Sequence, residues 1–135
     1  MIGMAKLFTG RAEETESHVL EALRLSPRET AAYAMILVAG LAKLYLGRDE
    51  EAAAWLRRSI EANRNFPLAH FLLASAFAHL GEMSEAGAAT KAGLALDSTF
   101  TIQRFRAGAS SNNPTYLAQR ERIYEGMRKA GVPDG

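Results

Sequence analysis

Apolar residues recur along this chain at helical spacings of three and four, in blocks separated by glycine or proline. The pattern predicts helices paired roughly as 2–9 with 11–25, 30–46 with 49–63, and 67–80 with 83–96. Pro27 stops the second helix, because proline cannot continue one. Pro67 opens the fifth at a first-turn position. A short helical or irregular stretch is expected at 100–107, then a loop over Gly108–Asn113 (GASSNN). Pro114 starts a last helix that runs to about Ala130, where Gly131 and Pro133 end it.

The chain overlays on itself. Segments beginning at Gly10, Gly47 and Gly81 align, and Gly47 and Gly81 stand 34 residues apart. Four residues past each glycine is Glu14, Glu51 or Glu85, followed by a small residue, Thr15, Ala52 or Ala86. Further on come Ala22, Ser59 or Gly93, then Leu23, Ile60 or Leu94. Before the glycine stand Gly3, Gly40 or Ala74, and Leu7, Leu44 or Ala78. The glycine ends a first helix, where a left-handed backbone is needed. Acidic residues then suit the start of a second helix. Small residues let the two helices approach, and large apolar ones fill the space between pairs. In the 49–63 helix, Trp55, Leu56 and Ile60, with Ala52, are expected on the inner face.

Period and residues together resemble the tetratricopeptide repeat (TPR). The resemblance covers about residues 1–98 and counts two full repeats and one shortened at Met1. It departs from the family where Arg64 and Ser98 replace a repeat-ending proline. The implied fold class is all-α: a TPR-type superhelix of antiparallel helix pairs, an α-solenoid, with a C-terminal capping helix. The implied division is a TPR array at 1–98 and an extension at 99–135. A narrower resemblance lies in LGRDEEAAAWLRRSIEANRNFPLAHFLLASAFAHLGEMSEA, FTIQRFRA and NPTYLAQRERIYEGMRKAGVP. These runs are similar to the C-terminal TPR region of alphaproteobacterial adenylate/guanylate cyclases and related regulators.

In a TPR array the first helix of each pair lines a groove. The resemblance therefore implies a partner-binding wall of Leu37, Leu41, Leu44, Tyr45, Leu68, Phe71, Ser75 and His79, with Met4, Leu7, Phe8 and Ala78 beside them. The Lys, Arg and Asn set that clamps a peptide carboxylate in some TPR domains is missing from these positions. An apolar groove needs a cover. The last helix offers one: Tyr116, Leu117, Ile123, Tyr124 and Met127 form a stripe, with Gln119, Arg120, Arg122, Glu125, Arg128 and Lys129 opposite. It reads as a capping helix, or as one that exchanges between chains or docks elsewhere.

Candidate chemistry is sparse. His70 and His79 lie nine apart on one helix and so point in opposite directions at about 100° per residue; with His18 they form no metal-ligand spacing. Glu13, Glu14, Glu16 and the run Asp49-Glu50-Glu51 have a sufficient role at helix starts. Arg104, Phe105 and Arg106 could stack on a nucleic-acid base, or Phe100, Ile102 and Phe105 pack on the repeat and leave the arginines in solvent. With no cysteine, disulfides, thiolate metal sites and cysteine nucleophiles are excluded. Net charge is +1, at −2 over residues 1–100 and +3 over 101–135, too even a balance to attract nucleic acid or membrane. No stretch reaches the roughly 18 uninterrupted apolar residues of a membrane span.

These readings imply a non-catalytic protein–protein interaction or scaffold module, a regulatory region of a cytoplasmic signalling protein. It would use no cofactor, no metal, no nucleic acid and no membrane, and would bind a protein or peptide. The alternative is part of a nucleotide cyclase whose catalytic domain is absent from this chain. A homodimer is also expected, through Ile2, Met4, Leu7 and Phe8, which a first helix starting at Met1 leaves uncovered.

Overall fold

The computed structural model describes residues 32–109 and 111–135, and among them every regular element is a helix. The helices are α1 (Ala32–Tyr45), α2 (Asp49–Ala62), α3 (Pro67–His79), α4 (Met83–Leu96), α5 (Ile102–Ala107) and α6 (Pro114–Lys129). The expected pair 2–9 with 11–25, and Ile2, Met4, Leu7 and Phe8, lie outside the described residues. The stretch at 100–107, left open between helix and irregular chain, is helical from Ile102.

Helix α1 ends as its glycine requires. Gly47 has φ +74, and the turn closes with Gly47 N–H on the Leu44 carbonyl and Arg48 N–H on the Lys43 carbonyl. Gly81 repeats this at the end of α3, with φ +79 and bonds to Ala78 and Phe77. Each cap satisfies carbonyls that a helix end leaves open and turns the chain directly into the next helix. The result is two antiparallel pairs, α1/α2 and α3/α4, with α2 also packed on α3.

Small residues set the approach within each pair. A methyl group at Gly40 would come within 2.8 Å of Leu56 Cγ, and one at Gly93 within 2.8 Å of the Phe71 ring. Both glycines therefore exist to admit a large neighbour. Helix α3 is apolar on every side, as a central helix should be, and nine of its residues are buried. Leu56 is fully buried, but Trp55 and Ile60 are only partly covered. Trp55 and Ile60 pack against the edge of the core, Trp55 also lying under the Arg58 guanidinium 4.7 Å from its ring, so the buried inner face is Ala52, Ala53, Leu56 and Ser59.

The C-terminal part folds back over the first helices. Phe100 stacks on Phe71 with centroids 3.9 Å apart. Thr101 caps α5, its hydroxyl accepting from Arg104 N–H at 3.0 Å. Asn113 caps α6 in the same way, accepting from Tyr116 N–H at 3.0 Å. Helix α6 then lies along α3 and reaches α1. Beyond Gly131, the Pro133 and Asp134 carbonyls accept from Ile102 and Gln103 N–H, each at 2.8 Å. The tail thereby satisfies open donors at the start of α5.

Candidate functional site

The candidate site is the groove formed by the first helices of the pairs, α1 and α3, and α6 occupies much of it. The seat is tight because Gly126 has no side chain: a methyl group there would fall 2.2 Å from Ser75 Oγ and 2.8 Å from the His79 ring. Ser75 Oγ–H donates to the Ile123 carbonyl at 3.0 Å, and the His79 Nε2–H to the Arg122 carbonyl at 2.7 Å. Inside a helix such carbonyls already accept one N–H; the side chains use their second lone pair. From α4, Thr90 Oγ1 adds a bond to the Ala130 carbonyl at 3.0 Å. At the other edge, Arg122 grips Asp49 through two bonds of 2.8 Å. Asp49 is thus both first-turn acid of α2 and anchor of α6, and its bonds raise the Arg122 pKa above the ordinary range.

Three changes to the expected face of α6 follow. Tyr116, Ile123, Tyr124 and Met127 are buried as the stripe requires, but Leu117 is exposed. Arg120, assigned to the polar face, is 6% exposed. It lies four residues from both Tyr116 and Tyr124, donates to both hydroxyls and to the Phe105 carbonyl, and stacks over Phe105 at 4.1 Å. Arg122 is half-buried in its ion pair. Spacing of i±4 from two tyrosines was the signal for Arg120.

The eight groove residues do not form one surface. Leu37, Leu44 and Phe71 belong to the core. Ser75 and His79 hold α6. Leu41, Tyr45 and Leu68 line a cavity of about 450 Å³ that α6 leaves open. Tyr45 meets Tyr116 edge-on at 5.7 Å, forming the boundary between the filled and open parts. The histidines stay apart: His70 bonds the Arg64 carbonyl at 3.1 Å, far from the His79 contact. The basic cluster after the repeats is tied up internally. Arg104 pairs with Asp97, and Arg106 pairs with Glu121 at 3.2 Å while lying over Tyr124 at 4.6 Å.

Residues 33–66 match the tetratricopeptide repeat family model. Over that stretch the chain is similar to a tetratricopeptide repeat. The match takes in α1, α2 and the link to α3, and its 34 positions equal the spacing of Gly47 and Gly81. The described fold is an all-α TPR solenoid, and TPR repeats generally mediate protein–protein interactions and are typically non-catalytic. No curated protein matches the chain. No helix among the described residues is long and apolar enough to cross a membrane.

Proposed function

We propose that this chain is a non-catalytic interaction or scaffold module, the regulatory region of a cytoplasmic signalling protein, with residues 1–98 as the array and 99–135 as the extension. One observation carries the reading: the TPR groove seats an amphipathic helix by hydrogen bonds from Ser75 and His79 to that helix's backbone. Recognition through backbone carbonyls suits a groove whose task is to hold helices. An incoming protein or peptide would meet Leu41, Tyr45 and Leu68, and would extend over Ser75 and His79 where it displaced α6. The signalling role rests on the proposed resemblance to the C-terminal TPR region of alphaproteobacterial cyclases and related regulators. Two chains would pair through Ile2, Met4, Leu7 and Phe8.

The test places a photo-crosslinking residue at Leu68 and, as a control, at exposed Met83. Protein adducts at Leu68 and not at Met83 are expected. Equal adducts at both positions would remove the groove from the reading. Formation of cyclic nucleotide from ATP or GTP by the purified chain, above a no-protein control, would favour the cyclase alternative. Light scattering reports the dimer separately, and a Phe8→Glu variant should abolish it.

A further inference from the structure

The cavity beside α6 holds a feature that packing does not account for. Arg120 forms part of its wall, together with Leu41, Leu68, Tyr45 and Phe105. The guanidinium is buried, yet its hydrogen-bond partners are two phenol hydroxyls and a backbone carbonyl, all neutral. No carboxylate pairs with it among the described residues. The acid at the rim, Asp97, is committed elsewhere: the Thr99 hydroxyl first, then Arg104, hold its carboxyl below the usual range. Nor do the tyrosines supply a negative charge. Burial first, then the adjacent Tyr116, pushes the Tyr45 phenol up, and burial does the same to Tyr124. Aromatic faces stabilise the cation in part, but a buried charge is ordinarily matched by an opposite one. Arg120 has five N–H groups; three are used by these acceptors, and the Tyr45 hydroxyl, also neutral, lies against the same guanidinium.

We propose that this cavity binds an apolar carboxylate, its acid group on the Arg120 guanidinium and its ring or short chain against Leu41, Leu68 and Phe105. A volume of about 450 Å³ is in the range of small-ligand sites, which are mostly apolar with a few converging polar groups. The planar guanidinium matches a carboxylate in geometry as well as charge. The Tyr45 hydroxyl, already set against Arg120 and Tyr116, helps fix the guanidinium at that wall. This goes beyond the interaction reading, because the cavity would take a free acid whether or not a protein binds the groove. A peptide ending in an apolar residue presents the same chemistry, and that source does rest on the interaction reading.

The experiment titrates the whole chain with 3-phenylpropanoate and with its amide, following the Arg120 Nε–H resonance by NMR. The acid should bind roughly tenfold or more tightly than the amide, as expected when a charged hydrogen bond is lost, and should move that resonance. Leu68→Trp fills the cavity from a half-buried position and should abolish binding with the melting temperature kept. Arg120→Gln should erase the preference for acid over amide. A short peptide ending in phenylalanine, with free and with amidated terminus, separates the sources: tighter binding than the free acid, lost on amidation, assigns the site to a chain end. Equal binding of acid and amide, or acid binding unchanged in Leu68→Trp, overturns the proposal.

Discussion

The two helix pairs offer the same groove positions with opposite chemistry. Six residues before the pair's glycine stands Leu41 in the first and Ser75 in the second; two before it stand Tyr45 and His79. The second pair turns its positions into donors and binds the backbone of α6 directly. The first pair leaves Leu41 facing a cavity, and its Tyr45 meets only side chains of α6, Tyr116 and Arg120, at the cavity wall. The caps Gly47 and Gly81 are alike in both. Whether the groove is filled or open is therefore set by two side chains on a common backbone, not by a change of fold.

The largest effect should come from Gly126→Leu. The added side chain would meet Ser75 Oγ and the His79 ring at distances no side chain tolerates. Overpacking of a rigid contact costs about 1–3 kcal/mol and sometimes more. Here the relief available is release of α6 as a unit. Hydrogen exchange should therefore show lost protection across 114–129 with α1 to α4 retained. Uniform loss through every helix would mean α6 is integral to the pairs and the comparison is misplaced.

Next is conversion of the second pair's chemistry into that of the first. Ser75→Leu removes one donor and crowds Gly126; Ser75→Ala removes the donor alone. A lost hydrogen bond of this kind costs about 1 kcal/mol, so the alanine variant should destabilise by that amount in urea unfolding and the leucine variant by more. His79→Ala should fall near Ser75→Ala, with the two combining non-additively because both hold one helix. An unchanged unfolding midpoint in both single variants would show that α6 is held by apolar burial alone.

What the sequence made legible was local. Glycine and proline punctuate this chain, so α1 to α4 and α6 were readable within a few residues, since caps depend on neighbours a turn away. What it hid was long-range or chemically contrary. Asp49 and Arg122 pair across 73 residues, and nothing in either segment names the other. Arg120 was misplaced because arginine counts as polar, although its spacing from Tyr116 and Tyr124 put it on the buried face. Trp55 was placed on the inner face by its register with Leu56 and Ile60; it packs only at the core's edge, with the Arg58 guanidinium over its ring. Gly126 lies unmarked inside the last helical stretch, and only the approach of Ser75 and His79 gives it a purpose.

The equality of the caps is itself testable. Gly47→Ala and Gly81→Ala each force a side chain into the left-handed region, at about 1–2 kcal/mol. An alanine methyl at Gly81 meets nothing within 4 Å, and one at Gly47 only the end of Arg122 at 3.9 Å. The two variants should therefore lose the same stability within error. A much larger loss at Gly47 would show that the pairs differ in their turns as well as in their grooves.

The smallest effect concerns the tie between α6 and the first pair. Asp49 is nearly buried, while the Arg122 side chain is about a third exposed. The two bonds are well formed, but solvent reaches the guanidinium and weakens the pair. Exposed ion pairs are typically worth about 0.2–1 kcal/mol, and bidentate geometry places this one toward the upper end. A double-mutant cycle with Arg122→Gln and Asp49→Asn isolates the coupling, since Asp49 also serves the start of α2 and its replacement alone would mix two roles. The coupling should be about 1 kcal/mol in low salt and shrink as salt is raised toward about 1 M, where screening reaches about 3 Å. The Ser75 and His79 bonds are between uncharged groups when the histidine is neutral, so their contribution should hold across the same series. If the Asp49–Arg122 coupling held equally steady, solvent would not be reaching the pair, and the first helix pair would grip α6 as firmly as the second.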